Sequence, residues 1–146
     1  SETYDGHRLE IAADQYLPTT RDFCPTGEII DVTGTEMDFR QVRTVSPKAP
    51  AFDNNFCLSD NRTALRDVMT LSGSSGVIMR LATTEPGLQI YDARDSERPG
   101  RKNYAALAIE AQGWPDAPTH TRFPSIAITP DKPYQQTTQW TFDRRS

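Results

Sequence analysis

Apolar residues in this chain come in short runs, and the polar residues between them are rich in proline, glycine, serine and aspartate. Residues 8–13 (RLEIAA) alternate in polarity with the period of two that a half-buried strand requires. Tyr16-Leu17-Pro18 closes that segment, and Cys24-Pro25-Thr26-Gly27 reads as a turn. Further strands are predicted at residues 28–32 (EIIDV), 56–59, 76–84 (GVIMRLATT), 88–91, 104–111, 124–128 and 137–142. Residues 64–71 have an apolar spacing that fits a strand or a short helix. The cluster Ser72-Gly73-Ser74-Ser75-Gly76 breaks the chain between two such segments. A single helical turn is expected at 37–40, a proline-containing loop at 45–54 and a charged, solvated loop at 92–103. Many short strands, frequent turns and no long amphipathic helix predict an all-β fold, an antiparallel β-sandwich.

The strand at 104–111 carries the most informative polar pattern. Period-two alternation sets Ala106, Ala108, Glu110 and Gln112 on one face and Ala105, Leu107, Ile109 and Ala111 on the other. The Leu/Ile face can pack on a core. The Glu/Gln face has only alanines beside it, which leaves room for a ligand; an ordinary solvent-facing strand would read the same way. Gln89 points opposite to Leu88 and Ile90, and its amide offers both the donor and the acceptor that a sugar hydroxyl needs. Asp53 stands in Phe52-Asp53-Asn54-Asn55-Phe56, where flanking rings could wall a sugar site, or where Asp and Asn could cap their own backbone in an Asx-turn. His7 and His120 are the only imidazoles and read as structural or surface residues.

Composition narrows the class. The 146 residues suffice for one domain with a core, and the net charge of −4 comes without a basic cluster. A nucleic-acid partner is therefore not expected, and no apolar stretch is long enough to span a bilayer as a helix. The start of the chain lacks the features of a signal peptide, and a cytoplasmic protein is expected. Cys24 and Cys57 fall in no metal-ligand spacing and are expected to be free thiols. No Ser-His-Asp spacing, phosphate loop or metal cluster is present in the sequence, and no cofactor is expected.

Seven segments, in order, resemble the aldose 1-epimerase (galactose mutarotase) family. They are residues 6–18 (GHRLEIAADQYLP), 25–28 (PTGE), 34–40 (GTEMDFR), 52–56 (FDNNF), 84–91 (TEPGLQIY), 109–117 (IEAQGWPDA) and 123–125 (FPS). The resemblance implies a β-sandwich of the galactose-mutarotase type that interconverts the α and β anomers of a free aldohexose such as galactose or glucose. It implies that Glu110 is the general base and that Asp53 and Gln89 bind sugar hydroxyls. It also marks two departures. Asn54 stands where the family usually has His. The family's general-acid His and a second sugar-binding His belong to a segment that would precede this chain. The chain is thus expected to be the C-terminal part, residues 1–146, of a single epimerase domain, with the N-terminal part absent or supplied by a separate chain. Alternatives are a phosphosugar mutarotase, for which Arg40, Arg80 and Arg94 would have to gather at the site, and a non-catalytic sugar-binding module of the same fold.

Overall fold

The computed structural model describes residues 2–47 and 49–144. Ten strands follow one another: β1 (Arg8–Ile11), β2 (Gln15–Leu17), β3 (Ile30–Asp31), β4 (Arg43–Thr44), β5 (Asp53–Cys57), β6 (Arg66–Ser72), β7 (Val77–Thr83), β8 (Gly87–Tyr91), β9 (Ala108–Gln112) and β10 (Thr138–Arg144). A 3-10 turn at Ala117–Thr119 is the only helical element among the described residues. No helix among them is long and apolar enough to cross a membrane.

The strands form two antiparallel five-stranded sheets, ordered β10-β7-β6-β1-β4 and β3-β2-β5-β8-β9. They face each other across one apolar layer. Leu9 and Ile11 of β1, Val68 and Met69 of β6 and Leu81 of β7 meet Phe56 of β5 and Leu88 and Ile90 of β8. A register shift between Asp67 and Met69 lets two consecutive residues of β6, Val68 and Met69, reach this layer. Full burial of each such side chain contributes about 1.5–3 kcal/mol, which for strands this short is the main source of their stability. The all-β sandwich is the architecture the hydrophobic pattern predicts.

Local differences have tertiary causes. The segment 8–13 is not one strand. It leaves the first sheet after Ile11 and enters the second at Gln15, so adjacent stretches of chain serve opposite layers. The segment 64–71 resolves as strand from Arg66 onward, because β6 pairs with both β1 and β7. The expected strand at 104–111 starts only at Ala108, because Tyr104 adopts φ 63° and bonds back to the Ala93 carbonyl. Residues 124–128 pair with no strand, and Ile126 and Ile128 are exposed, so the strand expected there is absent. No helical turn forms at 37–40; the Asp38 carboxylate instead accepts from the Arg40 backbone and side chain. β5 reaches back into the expected loop at 45–54 and takes in Asp53 and Asn54.

Alternation along β5 and β8 turns Phe56, Leu88 and Ile90 inward and sends Asp53, Asn55, Gln89 and Tyr91 to the outer face of their sheet. One end of that outer face is covered by a second apolar cluster of Leu17, Cys57, Trp114, Ala117 and Phe123, with Ile29 packed against it. The Trp114 indole donates to the Pro86 carbonyl at 2.9 Å and so ties the segment after β9 to the start of β8. The rest of the outer face is open.

Candidate active site

The open part of this face holds a cavity of about 370 Å³, lined by Leu17, Thr19, Phe23, Pro25, Asp53, Asn55, Gln89, Tyr91, Glu110, Gln112 and Pro115. That volume is within the range of small-molecule sites. Its floor is a set of cross-strand rows. Leu17 of β2 pairs with Asn55 of β5, Asn55 with Gln89 of β8, and Gln89 with Glu110 of β9. One row along, Asp53 pairs with Tyr91; on the other side Cys57 pairs with Gly87 and Gly87 with Gln112. A larger concavity of about 700 Å³ lies over residues 97–102 and is lined by charged side chains, of which Lys102 and Glu2 pair at 2.9 Å; none of the residues singled out in the sequence lines it.

Each of the three residues singled out in the sequence lines this one cavity. Gln89 donates from Nε2 to Asp53 Oδ1 at 3.0 Å. Burial pushes the Asp53 carboxyl above the usual carboxylate range, against the opposing pull of the Gln89 hydrogen bond and of the Arg94 charge. Glu110 sits on the edge strand and is exposed, and its carboxylate has no hydrogen-bond partner among the described residues. A free carboxylate at a rigid strand position, next to an amide and a second carboxylate, can take a proton from a bound hydroxyl while its neighbours hold the molecule.

Two expectations about the surroundings are overturned. Asp53 is in a strand and not an Asx-turn, because β5 pairs with β8 from Asp53 onward. Phe52 and Phe56 do not wall the site, because both are fully buried in the layer between the sheets, where each packs on Phe39. The aromatic walls are Phe23 and Tyr91. Tyr91 could have been found from its period-two relation to Gln89. Phe23 could not, since it is brought in by a loop joined through the Thr19–Pro25 bridge and stands at φ 62°. Gln112, placed by alternation on the same face as Glu110, lines the cavity as well; Asn55 and Thr19 were not singled out, although Asn55 shares a face with Asp53 by the same alternation.

Neither histidine lines the cavity. His7 contacts the Tyr4 carbonyl through Nδ1 at 2.8 Å. His120 packs beside Phe123 and over Gly27, with Nε2 3.3 Å from Asp116 Oδ2. That separation comes without hydrogen-bond geometry, so the buried Nε2 has no hydrogen-bond partner among the described residues. The three arginines considered for a phosphate are held elsewhere. Arg40 is bound by Asp38 and Asp14, Arg80 by Asp143 and Arg94 by Asp92, and none lines the cavity. No group of His, Cys, Asp or Glu among the described residues is arranged to hold a metal ion. Both cysteines are free, and burial pushes the Cys57 thiol up to about 12 against a smaller opposing effect of Asn55.

Two antiparallel sheets with a polar cavity on the outer face of one of them define an all-β sandwich that presents a site for a small polar molecule. The comparisons narrow this: the sequence model of the aldose 1-epimerase family matches residues 1–141, and the chain belongs to that family. It is 33% identical over 153 residues to galactose mutarotase of Rattus norvegicus, covering 97% of this chain and 44% of the relative. It is 30% identical over 154 residues to galactose mutarotase of Homo sapiens, covering 97% of this chain and 45% of the relative. The chain therefore spans a little under half the length of these relatives. Among solved structures, a GalM/aldose epimerase homologue from C. elegans superposes with a TM-score of 0.85 at 28% identity, over 100% of this chain and 48% of that one. A galactose 1-epimerase from Lactobacillus acidophilus shares the fold with a TM-score of 0.76, over 97% of this chain and 45% of that one.

Proposed function

We propose that this chain carries the base and two sugar ligands of a mutarotase that interconverts the α and β anomers of a free aldohexose, galactose or glucose. The observation that supports it best is that Glu110, Gln89 and Asp53, far apart in sequence, line one cavity, with Gln89 donating to Asp53. In this reading Glu110 takes the proton from the anomeric O1 hydroxyl. An acid gives a proton to the ring oxygen as the C1–O5 bond breaks and C1 becomes an aldehyde. Rotation about C1–C2 presents the other face of the aldehyde. The ring oxygen then attacks C1, returning its proton to the acid while the new O1 takes one back from Glu110. Each positioned proton transfer contributes about 10² to 10⁴ in rate. No sugar-processing step here calls for a cofactor.

The acid on the ring oxygen is, in this reading, the His that the family resemblance puts in an N-terminal part or a separate chain; neither His7 nor His120 lines the cavity. The isolated 146 residues are then expected to bind hexose without accelerating its mutarotation. Polarimetry of freshly dissolved α-galactose and α-glucose tests this. A full enzymatic rate from the chain alone would overturn the missing acid and force His7 or His120 into the role. A cytoplasmic location goes with this reading, and the two free thiols are consistent with it. The phosphosugar alternative has no support from Arg40, Arg80 or Arg94, each of which is already paired with a carboxylate.

A further inference from the structure

Gly87 opens β8, and its φ lies outside the left-handed region, so the backbone does not demand a glycine there. Space does. A Cβ on Gly87 would lie 2.4 Å from Asn55 Oδ1, 3.1 Å from Asn55 Nδ2 and 3.1 Å from the Gln112 carbonyl oxygen. Asn55 is paired in register with Gln89, yet its carboxamide leans over Gly87, one row along, and fills the notch that the missing side chain leaves. The residue is 1% exposed and lines the cavity.

The two ends of that carboxamide differ. Nδ2 donates to the Phe56 carbonyl at 3.3 Å. Oδ1 is buried and has no hydrogen-bond partner among the described residues. A buried amide oxygen left without a donor is costly, and proteins that keep one commonly do so for a ligand or an ordered water. Asp53, the other acceptor on this stretch of β5, is two residues away on the same face, which puts the two Cα atoms about 6.5 Å apart. That spacing suits hydroxyls on different carbons of one pyranose.

We propose that Asn55 Oδ1 accepts a hydrogen bond from a ring hydroxyl of the bound hexose, which makes Asn55 a specificity-determining residue of this site; the inference rests on the hexose reading above. Gly87 is then the residue that lets the amide take its place. The hydroxyl that faces Asn55 is distinct from the one that faces Asp53.

The test is the affinity of the whole chain for galactose and for its 2-, 3-, 4- and 6-deoxy derivatives, measured by titration for the wild type, N55A and G87A. One deoxy sugar is expected to bind the wild type about three- to tenfold more weakly than galactose because it lacks the hydroxyl that Asn55 accepts. N55A should bind galactose weakly by the same factor and no longer distinguish that one sugar, while its response to the others is unchanged. G87A keeps Asn55 but displaces its amide, and should show the same selective loss, which serves if N55A folds poorly. A uniform weakening for every sugar, as removal of a buried water would give, or unchanged discrimination in both variants, overturns the role of Asn55 alone. A wild-type chain that binds no hexose overturns the hexose reading and this inference with it.

Discussion

Gln89 Nε2 donates to Asp53 Oδ1 at 3.0 Å along a diagonal of the sheet, since in register Gln89 faces Asn55 and Asp53 faces Tyr91. The bond fixes which way the amide points and leaves its oxygen for a ligand. It also pulls the Asp53 carboxyl down against the larger upward effect of burial. Replacing Gln89 by Ala is therefore expected to raise the Asp53 pKa further and to weaken hexose binding about three- to tenfold. NMR titration of the Asp53 carboxyl in both proteins checks the direction; an unchanged or lower value in Gln89→Ala would contradict it.

The raised Asp53 pKa also sets a pH dependence of stability. Because the folded value lies above the ordinary aspartate value, the folded chain holds the proton more tightly than the unfolded chain. The stabilisation is thus fully present below the ordinary value and is lost as pH rises through the folded one. Asp53→Asn should remove this decline while still accepting from Gln89. Urea unfolding of both proteins at pH values on either side of that window measures the difference, which should favour the variant only above it.

Glu110 has a different signature. In any preparation of this chain that epimerises hexose, Glu110→Gln should lower the rate by about 10² to 10⁴ and leave sugar affinity nearly unchanged, since the amide can still bond a hydroxyl but cannot take its proton. Equal rates in polarimetry would reject Glu110 as the base.

Arg62 and Glu85 hold the turn that starts β8. The Glu85 side chain is 0% exposed, and Arg62 bonds it at 2.7 and 3.4 Å while stacking over Tyr134. Arg62→Ala leaves a buried carboxylate without its partner and is expected to cost about 3–5 kcal/mol in chemical denaturation. A loss below about 1 kcal/mol would mean that the pair behaves as a surface salt bridge.

Gly87 and Asn55 should be coupled. Gly87→Ala forces the Asn55 amide out of its notch, an overpacking that costs about 1–3 kcal/mol. In an Asn55→Ala background most of that cost should vanish, because only the Gln112 carbonyl remains close. Additive losses in a double-mutant cycle would rule out the contact.

Much of the site was legible because strand alternation is a local property. Gln89 between Leu88 and Ile90, and Glu110 between Ile109 and Ala111, point away from apolar neighbours whichever strands they pair with. Asp53 was identified as a site residue, but its strand was not, because a run of Asp-Asn-Asn carries turn propensity and pairs only where β8 is there to receive it. The expected strand at 124–128 failed for the converse reason: an apolar stretch becomes a strand only when a sheet edge accepts its hydrogen bonds.

The sequence by itself determined the all-β class and the inward and outward faces of β8 and β9, which follow from period-two patterning. Asp53, Gln89 and Glu110 were singled out together by the resemblance to one family, and local pattern alone left each of them an ordinary surface or turn reading. Only the tertiary structure decided that Phe52 and Phe56 serve the core and Phe23 and Tyr91 the cavity, and that β1 and β2 belong to opposite sheets. It alone placed Asn55 over Gly87. Such relations depend on register between strands distant in sequence, and register is set by how two sheets pack, not by any one segment.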